Sequence, residues 1–558
     1  MNQPAAPEAR ERWTYLGLSV FLAMLWFATL SLRPLFNPDE GRYAEIAREM
    51  LTGGDWVIPH LNGLAYIEKP PLQYWATALS LRVLGQSEFA ARFYTACCAL
   101  GTLLTVWLLA RRLWSVVVAW RAAVMLSSML LFIVMGQLLT LDMGLTLYLT
   151  IALAGFLRAQ PDGSAAAPAG RRPSSELGWM LLAWVATALG VLSKGLVAAA
   201  IPAAVLVSYS AWARDFSPWR RLHIGWGLPL FLAITVPWHW LAALRLADFP
   251  QFFFVHEHLA RYLTPSANRE EAWWFFGMVF VLGSAPWTLP ALRVMILGWR
   301  RQTPGSEFNP TLFLWIWIWF VCIFFSLSES KLVPYILPAL PALALLIAAL
   351  PIDALRRDVL MTAVLTVLAA AALAILCFFG PRFVAASDRS EYFLSLTKPL
   401  AQIAVLLAAS GLYVLSQRRR EVTRAAVFLG VGWCLSGLLM MRAAAAVAPV
   451  YSGVELARAL PAGAENAPIY SVGTYDQTLP FYWRRSVALV AYRGELDYGL
   501  GYDPGAELPS VAEFLVRWSG ESAAYAVMEK AMFEELKRRG VPMREIGRDA
   551  NRVLVARR

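Results

Sequence analysis

The chain has 558 residues, of which 58% are hydrophobic and 16% charged, with a mean hydropathy of +0.52. That balance excludes a water-soluble protein of this size and predicts an integral membrane protein. The net charge of +11 is no nucleic-acid footprint: residues 449–558 hold 14 Lys+Arg and 14 Asp+Glu, so the whole excess lies in the apolar remainder.

Apolar windows of roughly 17–25 residues, long enough to span a bilayer as a helix, recur at 13–32, 89–110, 116–135, 142–157, 177–192, 195–211, 223–243, 273–297, 311–327, 332–350, 359–380, 399–416 and 422–447. They predict a polytopic α-helical membrane protein with about thirteen transmembrane helices. Arg10 and Arg12 precede the first span, which reads as a retained signal anchor. With alternating sidedness, the turns carrying Arg111-Arg112, Arg171-Arg172, Arg220-Arg221, Arg300-Arg301, Arg356-Arg357 and Arg418-Arg419-Arg420 all fall on the N-terminal, cytoplasmic side. The C-terminus is then outside. Cys97, Cys98, Cys322, Cys377 and Cys434 all fall in predicted spans, so no disulfide framework or zinc-knuckle spacing exists.

The first outside loop, residues 33–88, is long and rich in Trp, Tyr, Pro and charge, as functional loops are. It opens with Asn37-Pro38-Asp39-Glu40-Gly41-Arg42-Tyr43. Asn37 as N-cap, Pro38 at N1 and Glu40 at N3 make a near capping box, and Asp39 gains from the helix dipole. The same helix would present Asp39, Glu40 and Arg42 to a charged group on a lipid-borne substrate. Residues 39–51 and 72–84 have helical spacing and are expected to lie in the membrane interface. Between them, Tyr66-Ile67-Glu68-Lys69-Pro70-Pro71 displays Lys69 at a set place, because the Pro pair forbids helix until the lysine has been placed. A snorkelling lysine beside Trp75 is the plainer reading of Lys69 taken alone.

Asp142 opens the fourth span on the same outside face, where a carboxylate is costly unless hydrated or paired. Lys194 and Lys331 occupy very short outside turns, the latter in Ser328-Glu329-Ser330-Lys331-Leu332-Val333-Pro334-Tyr335. With Lys69 and Arg42 they predict a mixed-charge basin for an anionic head group and a polar sugar. His256-Glu257-His258, followed by Arg261 and Tyr262, sits in the loop after span seven. His256 and His258 with Glu68 are candidate ligands for a divalent cation such as zinc at the phosphate. Polar residues on a surface helix are the simpler reading, and no cofactor is required by the residues.

From about residue 449, Pro461, Gly463 and Pro468 break the chain, and β-prone runs at 469–472, 487–490, 525–528 and 553–555 alternate with helical ones such as 529–539. This predicts a small extracytoplasmic α/β domain at 449–558, after a transmembrane catalytic domain at 1–448. Its expected role is stabilisation or acceptor docking.

The order of these motifs resembles the polyprenyl-phosphate-sugar-dependent glycosyltransferases of the GT-C fold, which include the protein O-mannosyltransferases. The markers are an outside Asp-Glu after the first span, Lys-Pro-Pro-Leu, an Asp opening the fourth span, and Ser-x-x-Lys-Leu-x-x-Tyr-Ile-Leu-Pro. Within that group the chain is most similar to the lipid A 4-amino-4-deoxy-L-arabinose transferases. The resemblance implies Asp39, Glu40 and Asp142 as catalytic carboxylates, and Lys69, Arg42 and Tyr66 as holders of the polyprenyl phosphate. Lys194, Arg261, Lys331 and Tyr335 complete the implied substrate site. It also implies an undecaprenyl-phosphate-linked donor, a lipid A phosphate acceptor, inversion at the anomeric centre, and resistance to polymyxin-type cationic peptides. A monomer in the bacterial inner membrane is expected, with the site and C-terminal domain periplasmic and no nucleic-acid partner. Protein O-mannosylation is the alternative. A transporter is disfavoured because the charges gather on one face and no inverted repeat is evident.

Overall fold

A computed structural model of the chain describes residues 9–161, 173–260, 271–298, 308–384, 390–417 and 421–557. Contacts divide it into two units, Met1–Thr29 with Thr95–Met441, and Leu30–Tyr94 with Arg442–Arg558. The long loop after the first apolar helix thus groups with the C-terminal segment.

The first unit is helical. Among the described residues, seven helices are long and apolar enough to cross a membrane, and a bent pair makes an eighth. The expected thirteen is reached only when the five shorter apolar helices are counted with them. Three predicted spans are not single rods. Residues 116–135 form Val116–Ser128 and Leu130–Gln137, bent by 66° at an extended Met129. There the Leu130 N–H leaves the helix ladder and donates to the Ala285 carbonyl at 2.9 Å. Residues 273–297 form Phe275–Gly283 and Thr288–Leu297, with Pro286, which has no N–H to give, in the break. The 332–350 segment begins as a 3-10 turn, Val333–Ala339, under Pro334 and Pro338, before Leu340–Ala348 becomes α-helical.

The second unit joins a six-stranded sheet to the loop. The sheet runs β5–β4–β3–β6–β8–β7, from β3 (Ile469–Val472), β4 (Ala488–Val490), β5 (Glu507–Leu508), β6 (Tyr525–Glu529), β7 (Met543–Arg548) and β8 (Arg552–Arg557). Strands β3 to β6 pair in parallel, and β8 and β7 are added antiparallel. All four residues of β3 are buried, as expected of a parallel strand covered on both faces. Tyr470, Val472, Phe514, Trp518, Met528 and Val553 build one apolar layer, and Leu456, Leu479, Val527 and Leu554 the other. The four β-prone runs read from sequence are strands β3, β4, β6 and β8, whereas β5 and β7 escaped notice because polar residues interrupt them.

In the loop, helices Asp39–Gly53 and Leu72–Leu84 flank a short hairpin, β1 (His60–Leu61) and β2 (Leu64–Ala65). Asn62 and Gly63 turn it, both at positive φ, the Asn-Gly signal of a two-residue hairpin. The Asn62 side chain accepts from the Val487 N–H at 2.8 Å and donates to its carbonyl at 2.9 Å, joining the hairpin to the start of β4. The Asp39–Gly53 helix is not the interfacial helix its periodicity predicts. Glu40 to Arg48 are all buried, so protein covers it on every side over that stretch. The Leu72–Leu84 helix buries Gln73, Thr77 and Ser80 and exposes Leu79, Val83 and Leu84, the pattern of a helix with an apolar outside.

Candidate active site

Asn37 is not the helix cap that the spacing suggests. Pro38 occupies that position without a side-chain bond, and the helix begins at Asp39. The Asn37 amide instead donates to Asp476 Oδ2 at 2.5 Å and accepts from the Gln477 N–H at 3.0 Å, a matched pair that a cap could not use. The end is closed by Glu40, whose Oε2 accepts from the Phe36 N–H at 3.0 Å.

Glu40 is 2% exposed and sits between two arginines. Arg33 approaches it at 2.5 and 3.0 Å, and Arg92 at 2.7 and 2.9 Å. Arg92 also donates to the carbonyls of Leu30 at 2.6 Å, Arg33 at 2.9 Å and Pro34 at 2.8 Å. Burial pushes the Glu40 carboxyl up, but the charges of Arg33 and Arg92 outweigh it and hold it well below the usual range. It is a fixed anion. Successive helix residues point about 100° apart, so Asp39 faces elsewhere. Its side chain is 46% exposed and accepts from Arg42 Nη1 at 2.9 Å.

Arg42 is buried and forms a second ion pair with Glu495, a residue of the C-terminal domain that sequence reasoning missed. Glu495 also accepts from Gln477 Nε2 at 2.7 Å. Burial raises its carboxyl, against the pull of Arg42. The Arg42 guanidinium lies 5.9 Å from the centre of the Tyr43 ring, which packs at 5.9 Å on Tyr74. Tyr66 is buried and interacts electrostatically with Arg42 and Glu68. Among the described residues Arg42 Nε and the Tyr74 hydroxyl are buried without a hydrogen-bond partner, a cost that sites for polar ligands tolerate. Lys69 is half-buried, its ammonium donating to the Glu68 carbonyl at 2.8 Å. The following helix starts only at Leu72, after the two prolines.

In the helical unit, Asp142 opens the Asp142–Ala159 helix and Lys194 ends the Pro173–Lys194 helix. Each charge is placed where its helix dipole favours it, and the two side chains form an ion pair. The Lys194 ammonium lies 4.9 Å from the centre of the Tyr335 ring. Lys331 is 8% exposed and, among the described residues, makes neither an ion pair nor a hydrogen bond. Among the described residues the hydroxyls of Thr140, Ser193 and Ser330, next in sequence to these charged residues or two removed, are buried without hydrogen-bond partners. Buried hydroxyl donors and a buried ammonium each suit an anion with several acceptor oxygens.

His256 is largely exposed, stacks on Phe252 with ring centres 5.3 Å apart and approaches Glu257 at 3.6 Å. The side chain of His258, and all of Arg261 and Tyr262, lie outside the described residues. Among the described residues no group of three or more His, Cys, Asp or Glu side chains is assembled.

By its matches to known proteins the chain is a glycosyltransferase of the GT-C class. Residues 12–253 match the family described as Dolichyl-phosphate-mannose-protein mannosyltransferase, and residues 456–557 that described as Aminoarabinose transferase C-terminal domain. The undecaprenyl phosphate-alpha-4-amino-4-deoxy-L-arabinose arabinosyl transferase of Pseudomonas aeruginosa is 34% identical over 512 residues, covering 88% of this chain and 87% of its own. That of Aeromonas hydrophila is 29% identical over 525 residues, covering 88% and 89%. The crystal structure of ArnT from Cupriavidus metallidurans bound to undecaprenyl phosphate matches with a TM-score of 0.88 at 31% identity over 98% of each chain. The chain belongs to the undecaprenyl phosphate-alpha-4-amino-4-deoxy-L-arabinose arabinosyl transferase family.

Proposed function

We propose that this protein moves 4-amino-4-deoxy-L-arabinose from undecaprenyl phosphate to a phosphate of lipid A, as a monomer of the inner membrane acting on its periplasmic side. The carrying observation is Lys331, a buried ammonium with no carboxylate partner among the described residues. It is suited to a phosphate in a way that an ion-paired lysine is not.

In this reading an oxygen of the lipid A phosphate attacks the anomeric carbon from the face opposite the donor oxygen, and the bond to undecaprenyl phosphate breaks with inversion. The bonding pair leaves with the lipid phosphate, where negative charge grows. Lys331 stabilises that charge in the helical unit, and Lys69, Arg42 and Tyr66 are the donors that the second unit offers to a phosphate. The attacking phosphate is already an anion near neutral pH, so no strong base is needed. Asp39, partly exposed beside Arg42, orients the acceptor or takes the cationic amino group, and Glu495 adds a second carboxylate to the same cluster. Asp142 keeps Lys194 in place beside Tyr335. Glu40, enclosed by two arginines, touches no substrate and positions Asp39.

Purified protein incubated with undecaprenyl-phosphate aminoarabinose and lipid A should yield lipid A heavier by one aminosugar, read by mass spectrometry. Sugar delivered to a protein hydroxyl instead would replace this reading with the mannosyltransferase one. Lys331→Met should remove transfer and leave folding intact; full activity in that variant would refute the phosphate role.

A further inference from the structure

Among the described residues Arg121 is a buried cation that the proposed reaction does not use and that no carboxylate pairs. Arg121, on the Val116–Ser128 helix, is 5% exposed, and its Nε and Nη2 both donate to the single hydroxyl of Thr423, at 2.9 and 2.7 Å. Among the described residues no carboxylate lies within ion-pair distance of it. Glu421 acts on it only at longer range and is bridged to Arg424 at 3.7 Å. A guanidinium removed from water without a counter-ion is costly, and in a membrane helix such a residue marks a site.

Beside Arg121 runs a cavity of about 450 Å³ between the Ala9–Ala28, Glu88–Leu113, Val116–Ser128 and Val422–Ala444 helices. Among the described residues no arginine lines the cavity itself, but three observations set Arg121 close to one end of it. Trp120, the neighbour of Arg121, lines the cavity. So does Val427, one helical turn beyond Thr423 on the same face. Tyr15, another lining residue, interacts electrostatically with Arg121. At this end Tyr15 and Trp107 pack on Trp120 with ring centres 5.5 and 5.6 Å away, and the Arg111 guanidinium sits 5.5 Å from the centre of the Trp107 ring. Elsewhere the walls are aliphatic apart from Trp26, Cys434 and two serines. The Ser19 and Ser127 hydroxyls on the lining donate to carbonyls of their own helices, at 2.9 and 3.0 Å.

We propose that this cavity binds an anionic glycerophospholipid, one acyl chain along the aliphatic walls and the phosphate at the Arg121 end, within reach of Arg111. An apolar chain gains little by leaving bulk lipid for a protein groove, so selectivity must come from the head group. Arginines beside an aromatic cluster are the elements that read an anionic head group at a membrane surface. None of Asp142, Lys194, Lys331 and Tyr335 lines the cavity, so the site is separate from those residues.

Native mass spectrometry of the full-length protein, given equal amounts of phosphatidylglycerol and phosphatidylcholine, tests the assignment. The wild type should retain phosphatidylglycerol in preference, by about fivefold for each arginine engaged. Arg121→Gln should lose about fivefold of that preference, and Arg121→Lys should keep most of it. Ser127→Phe, which fills the cavity and leaves Arg121 in place, should lower retention of both lipids and decides the matter if Arg121→Gln does not fold. Equal retention of the two lipids by the wild type, an unchanged preference in folded Arg121→Gln, or displacement of phosphatidylglycerol by undecaprenyl phosphate added at the same concentration would overturn it.

Discussion

Replacing Arg92 by Met tests whether Asp39 is placed by the buried triad beneath it. The substitution keeps the apolar bulk of the stem and removes two bonds to Glu40 and three to the carbonyls of Leu30, Arg33 and Pro34. Breaking a buried charge pair by deleting one partner costs about 3–5 kcal/mol, because the other charge stays desolvated. For a unit of this size each kcal/mol lowers the melting temperature by about 2–4 °C, so a fall of roughly 6–20 °C is expected. Transfer should fall as well, since the Phe36–Glu40 turn that fixes the first residue of the Asp39 helix loses its anchor.

Stability alone does not explain that second effect, and a compensated variant separates the two. Arg33→Met, Glu40→Leu and Arg92→Met together leave no unpaired charge, so melting should recover most of the way while transfer stays low. Thermal unfolding in detergent gives the first quantity, and initial rates at saturating donor give the second. A folded Arg92→Met protein with wild-type melting and wild-type turnover would refute the positioning argument. The triad also fixes the sign of the acid response. Glu40's folded pKa lies below its unfolded value of about 4.3, so its contribution is fully present above that pH. It is lost as the pH falls through the folded value.

Other substitutions probe neighbouring parts. Asp39→Asn should lower transfer by about 10²-fold, the cost of a misplaced substrate, while moving stability by under about 1 kcal/mol, because the carboxylate is partly exposed; unchanged product yield in the lipid A mass spectrum would remove its assigned role. Gly41→Ala places a Cβ 2.6 Å from the Gln477 carbonyl carbon and 2.7 Å from the Thr478 nitrogen, both backbone atoms that cannot turn aside. A loss of about 1–3 kcal/mol is expected, seen as a lower melting temperature or faster proteolysis. Treatment with a chelator should leave transfer within about twofold if the lysines carry the phosphate charge; a loss restored by zinc would instead bring a cation into the reaction.

The membrane class, the family and most of the C-terminal sheet were legible in the sequence because they rest on local signals. Apolar length marks a span, β-branched runs mark β3 and β8, and Pro70-Pro71 delays a helix wherever it occurs. The Asn62-Gly63 turn was just as local and was overlooked. Span geometry was less legible: hydropathy registers apolar length but not the extended Met129 or the break at Pro286, where the backbone bonds elsewhere.

What the sequence by itself determined is which charges exist near helix ends, since composition and spacing place Asp39, Glu40, Arg42, Asp142, Lys194 and Lys331 there. Only the tertiary structure decided what each of them does. Glu40 and Asp39 are adjacent and chemically alike, yet one is closed between Arg33 and Arg92 and the other is half open beside Arg42. Arg42 meets a carboxylate from the far end of the chain in Glu495, while Lys331 is buried without one among the described residues. The physical reason is that a charge acquires its role from its desolvation and its partners, and both are set by segments that fold beside it, whatever their distance along the chain.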